Sequence, residues 1–123
     1  TFKTAAAKIT SVAFTGPTSE PTVTIKGSNL GTIPPANPST PLTCVAGDTS
    51  FDYGASLQFT DSSGGWTAGQ TGDCIGLIVK SYTTTQIVYQ FGADYPNFRP
   101  VTAGDAYKLK VWGTSKSGTV AYT

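Results

Sequence analysis

The chain has 123 residues, is 38% hydrophobic and only 12% charged, and carries a formal net charge of +1. That length suits one domain, residues 1–123, and so small a charge supplies no strong field toward nucleic acid, an anionic membrane or an acidic substrate. Histidine is absent, which removes every Ser-His or Cys-His nucleophile pair and the commonest metal ligand. No apolar run reaches the ~18 residues of a membrane span. The chain opens Thr1-Phe2-Lys3 without an apolar leader, and so reads as a mature or excised domain.

Short alternating segments separated by Gly, Pro, Asn and Asp then follow one another. Lys8 to Phe14 (KITSVAF) places Ile9, Ser11 and Ala13 on one face and Val12 and Phe14 on the other. Thr22 to Lys26 (TVTIK) turns Val23 and Ile25 inward. Asn29 to Tyr53 breaks the rhythm, because Pro34, Pro35, Pro38 and Pro41 exclude a helix or a central strand. Ser56 to Thr60 resumes it with Leu57 and Phe59. Cys74 to Lys80 (CIGLIVK) is nearly continuous apolar, as a strand covered on both faces would be. Thr85 to Phe91 aligns Ile87, Tyr89 and Phe91, and Asp105 to Trp112 aligns Tyr107, Leu109 and Val111. Gly118 to Tyr122 closes the series with Val120 and Tyr122. Seven such strands without helical periodicity predict an all-β, two-sheet sandwich with Greek-key connections.

Cys44 and Cys74 are the only thiols, in a chain where Thr and Ser together number 32 and Met is absent. An even pair in so export-like a composition predicts a disulfide, with two free buried thiols as the alternative. It would close a loop of about 30 residues, stabilising the fold by roughly 3–4 kcal/mol and pinning the Pro-rich stretch to the sandwich.

Three pieces of sequence resemble a known family. Ile9 to Gly31 (ITSVAFTGPTSEPTVTIKGSNLG) looks like the opening of IPT/TIG immunoglobulin-like domains, with its Pro-Gly turn, its T-V-T-I strand and its G-S-N-L-G corner. Ser81 to Gly92 is similar to the polar turn and I-V strand of that family, and Gly104 to Val120 to its closing hairpin. The corner puts Gly27 and Gly31 where a turn asks for positive φ. The resemblance implies an immunoglobulin-like sandwich of the kind found in secreted multidomain proteins, including modules attached to polysaccharide-degrading enzymes.

Aromatic residues are the informative functional class. On Asp105 to Trp112, alternation points Lys108, Lys110 and Trp112 outward together. An outward indole stacks on a sugar ring while lysine donates to hydroxyls. Trp66 follows the turn-rich Asp61-Ser62-Ser63-Gly64-Gly65 and reads as a loop-tip aromatic. Tyr82, before Thr83-Thr84-Thr85, and Tyr95, before Pro96-Asn97, read as loop aromatics of the same kind. Gln86 and Gln90, opposite the inward face of their strand, offer a donor and an acceptor each. For the aromatics, packing at the rim of the core is the competing reading, and for Gln86 and Gln90 it is an ordinary solvated sheet face.

No catalytic residue emerges. Six of the seven acids are Asp, and a glycosidase pair would need a cleft that so small a domain with one long loop hardly builds. Asp61-x-Ser63-x-Gly65 resembles the start of a calcium loop but lacks the closing Glu, so no cofactor is expected. Nucleic acid is equally unpromising, since the lysines are scattered and Arg99 is the only arginine. The expectation is a non-catalytic carbohydrate-binding module of a secreted, extracellular enzyme. It would be tethered to a catalytic domain and bind polysaccharide, cellulose first, then chitin and xylan. A spacer or protein-interaction domain of a cell-surface or secreted protein is the alternative.

Overall fold

The computed structural model describes residues 7–33, 56–69, 75–92, 95 and 100–122, together with the backbone of 37–38 and 51–52. Its strands are β1 (Lys8–Thr15), β2 (Thr22–Ser28), β3 (Asn37–Pro38), β4 (Phe51–Asp52), β5 (Leu57–Asp61), β6 (Trp66–Ala68), β7 (Leu77–Tyr82), β8 (Gln86–Phe91), β9 (Ala106–Val111) and β10 (Thr114–Thr119). They pair antiparallel into two sheets, ordered β1-β2-β8-β7-β4-β3 and β10-β9-β5-β6. Because β3 and β4 are two-residue pieces, four substantial strands carry each sheet. There is no α-helix among the described residues. Cys44, Cys74 and Tyr53 lie outside them, as does most of the Pro-rich stretch, so the expected disulfide does too.

The core forms where alternation sends the apolar side chains. Val23 and Ile25 of β2, Leu57 and Phe59 of β5, Ile87, Tyr89 and Phe91 of β8, and Tyr107, Leu109 and Val111 of β9 are all buried. Rings from the two sheets meet between them. Phe14 of β1 lies 5.9 Å from Phe59 and 5.2 Å from Tyr107 by ring centroid, and Phe91 of β8 lies 5.2 Å from Phe59. Such edge-on contacts between facing sheets make the interior of a β-sandwich.

Two bulges correct the simple parity reading. On β1, Ile9 pairs with Gly27 and Ser11 with Lys26, leaving Thr10 as an inserted residue. Ile9 is thereby moved to the side of Val12 and Phe14, and both Ile9 and Val12 pack against the core. Gly27 has no positive φ. Its constraint is steric, because a Cβ there would overlap the Lys8 carbonyl. On β7, Val79 pairs with Tyr89 and Ser81 with Val88, so Lys80 is the inserted residue and Tyr82 turns inward opposite Ile87.

The last expected strand lies elsewhere. β10 occupies Thr114–Thr119, which holds no large apolar residue, and the strand exists because a two-residue turn, Trp112-Gly113, sets Thr114 opposite Val111. It is an edge strand, exposed over nearly its whole length. Beyond it Val120 is buried, and Tyr122 forms a parallel bridge with Phe14 in the other sheet.

Candidate functional site

One end of the sandwich is held together by residues far apart in sequence. After β2 the chain turns through Asn29 (φ 55°) and Gly31 (φ 76°), both left-handed. Between them Leu30 is buried, and its backbone N–H donates to the Thr84 carbonyl at 2.9 Å. The Tyr82 hydroxyl donates to the Leu30 carbonyl at 2.7 Å. The turn holding Thr84 is itself ordered by Thr83, whose Oγ1 accepts from the Gln86 N–H at 2.9 Å. The corner is thus locked onto the β7–β8 turn.

Trp112 is placed against this corner from the β9–β10 turn. Its backbone N–H donates to the Ser56 carbonyl at 2.7 Å, and its indole Nε1 donates to the Thr32 carbonyl at 2.9 Å. Its φ is 50°, a conformation that costs a bulky residue about 1–2 kcal/mol. The indole lies so close over Gly31 that a Cβ there would stand 3.1 Å from Nε1. Despite these ties the side chain remains 38% exposed. An open cleft of about 240 Å³ adjoins it, lined by Lys110, Trp112, Gly113, Thr114 and Ser115. Burial raises the Tyr82 phenol above its ordinary pKa, and the nearby Trp112 side chain works the other way.

Chemically, the indole N–H is already engaged, so what this side chain offers a ligand is its ring surface. Lys110, Thr114 and Ser115 add an ammonium and two hydroxyls beside it. That combination can pack against an apolar ring face and donate to hydroxyls.

The structure divides the residues singled out in the sequence. Lys108 and Lys110 alternate outward on β9 as expected, Lys108 exposed and Lys110 half-buried. Tyr82 is half-buried beside Trp112. Trp66 is not a loop-tip residue. It is 4% exposed and opens β6, 5.5 Å from Phe91 and 5.7 Å from Tyr95 by ring centroid. The turn before it is built by Asp61, whose Oδ1 accepts from the Gly64 N–H at 2.9 Å, and this swings the indole into the core. Asp61 therefore acts as a buried turn cap where the sequence resembles a calcium loop. Among the described residues no group of three His, Cys, Asp or Glu is placed to hold a metal. Tyr95 is also interior, at 3% exposure. Its hydroxyl donates to the Thr18 carbonyl at 2.7 Å and accepts from the Val101 N–H at 2.8 Å. Gln86 and Gln90 lie on the outward face of the opposite sheet, where Gln90 Nε2 donates to Thr22 Oγ1 at 3.0 Å. They share no surface with the cleft at Trp112.

Thr32, Thr114 and Ser115 were missed from sequence, while Gly31 has the positive φ expected of the corner but was not seen to lie under the indole. No residue pair signals this hairpin, because its left-handed position is taken by Trp112 while Gly113 has no positive φ, unlike the Asn-Gly or Gly-X pairs that mark two-residue turns. Comparison with protein-family models, with curated proteins and with solved structures gives no match.

Proposed function

We propose that this chain is a non-catalytic carbohydrate-binding module of a secreted polysaccharide-degrading enzyme, taking a glycan chain at Trp112. The observation that carries the reading is an exposed indole held in a strained backbone position beside a hydroxyl-lined cleft. Strain of this kind persists where the surroundings over-determine it, and it gathers at binding sites. The immobilised ring loses little conformational entropy when a pyranose face settles on it.

With Trp66 and Tyr95 in the core, one ring does the stacking. A single ring suits one or two sugar units of a separate glycan chain rather than a broad crystalline face. Affinity per site is then modest, and tethering to a catalytic domain supplies the rest through effective concentration. The finer fold reading belongs to the same proposal: an immunoglobulin-like sandwich of the IPT/TIG kind, its Pro-rich stretch fastened by a Cys44–Cys74 disulfide.

The test is depletion of the purified domain by insoluble cellulose, chitin, xylan and a starch control, with tryptophan emission followed on soluble oligosaccharides. Selective depletion that vanishes in Trp112→Ala supports the reading, and depletion unchanged in that variant removes it. A second reading has one observation behind it. Ile33 is 48% exposed and adjoins Thr32, the residue that holds the Trp112 indole. Two exposed apolar side chains at one end would suit contact with a neighbouring domain or protein partner. Absence of depletion from all four polysaccharides, together with no binding to an acidic glycan, would favour it.

A further inference from the structure

Resting on the glycan-binding reading, we infer that the glycan taken beside Trp112 carries carboxylates, as a polyuronate does. The argument starts from the outward face of the β10-β9-β5-β6 sheet. Directly opposite residues of an antiparallel pair share a face, so the register defines this surface. Lys110 stands between Ser115 of β10 and Gln58 of β5, and Lys108 between Ser117 and Thr60. The Thr60 hydroxyl is in turn hydrogen-bonded to that of Thr67 on β6, at 2.9 Å. The residues directly opposite each lysine thus carry hydroxyls or an amide and no carboxylate.

The two lysines lie two residues apart along β9, about 6.8 Å, on one face. The acids that belong to this sheet are withheld from them. Asp61, the last residue of β5, and Asp105, just before β9, are both buried. Glu20, an exposed acid, belongs to the β1–β2 turn at the edge of the other sheet. Among the described residues, then, no acid is shown on the outward face that carries these two lysines.

A neutral glycan laid across Trp112 and the half-buried Lys110 side chain would displace water from the ammonium and return only hydroxyl contacts. A carboxylate on the sugar makes a charge-assisted hydrogen bond to Lys110 and relieves the repulsion from Lys108. Thr114 and Ser115 remain for the neutral hydroxyls.

The experiment compares polygalacturonate with its methyl ester, which keeps the backbone and removes the charge, and includes a neutral β-glucan. Binding of the whole domain is followed by calorimetry and tryptophan emission. Expected is about tenfold tighter binding to the acid form than to the ester at low salt, shrinking severalfold as ionic strength is raised. Lys110→Gln should abolish that preference while the circular dichroism stays unchanged, and Trp112→Ala should weaken both forms alike. Equal affinity for acid and ester, or binding to the glucan alone, overturns the carboxylate inference and leaves the binding module standing. No binding to any of the three overturns both.

Discussion

Trp112 and Thr32 are 80 positions apart and are joined by a single hydrogen bond from indole Nε1 to carbonyl, 2.9 Å long. That bond decides which part of the tryptophan meets a ligand, because it consumes the one polar group the side chain owns. Removing the side chain should then separate function from stability. In Trp112→Gly the left-handed φ becomes relaxed, worth about 1–2 kcal/mol, while the bond and the packing on Gly31 are lost at about 1 kcal/mol or somewhat more. Unfolding stability in urea should stay within about 1 kcal/mol of the parent while glycan binding disappears. A large loss of stability would mean that Trp112 is a structural rim residue.

Gly31 is constrained twice, by φ of 76° and by the indole above it. Gly31→Ala should destabilise the domain by about 1–3 kcal/mol. It should also push the indole off Thr32, read as easier quenching of the exposed tryptophan by acrylamide. Unchanged quenching would show that the corner yields instead of the ring.

Trp66 gives the contrasting expectation. Its indole packs among Phe59, Phe91 and Tyr95, with centroids 6.0, 5.5 and 5.7 Å away. Trp66→Ala should cost about 3–5 kcal/mol of stability, measured by the urea midpoint. Trp66→Phe, which keeps a ring in place, should bind glycan like the parent chain. Loss of binding in a folded Trp66→Phe would return that residue to the site.

Stability should fall on the alkaline side. The phenols of Tyr82, Tyr89, Tyr95, Tyr107 and Tyr122 are all raised above 10.0, with burial the leading cause in each. Tyr122 is pushed up to about 12, helped by Tyr95, Asp105 and Asp61 nearby. A folded phenol that keeps its proton longer than the unfolded one contributes stability below the unfolded pKa and loses it as pH rises through the folded one. The melting temperature should therefore be level up to pH of about 10 and drop steeply between there and about 12. Phenolate absorbance rising well before unfolding would contradict this.

The strands whose apolar residues alternate were legible from sequence, because Val23 and Ile25, or Tyr107, Leu109 and Val111, have one low-energy way to face a core. The bulges at Thr10 and Lys80 were not, since an inserted residue shifts parity without altering composition. β10 escaped because its formation depends on backbone pairing across a tight turn and on no apolar side chain. Trp66 was misread for a particular reason. It pairs with Asp61, and a carboxylate at an inward position is what hydropathy patterns teach one to place outside. At the site, Trp112, Lys108 and Lys110 were visible in the strand's own alternation. The contact of Thr32 and Gly31 with Trp112 was invisible, because it is made only by the folded chain.

β10 carries one more consequence. Lys116 pairs with the inward-facing Leu109 and yet is exposed, so this edge strand presents an ammonium on the side where a core residue would sit. A second chain adding its own β10 alongside would have to cover that charge, and an antiparallel match centred there would bring two of them together. Such pairing of like edges closes at a dimer, and the Lys116 charge opposes it. Replacing Lys116 with valine should leave the isolated fold intact and raise the fraction that pairs through β10 edges as concentration increases, measured by light scattering.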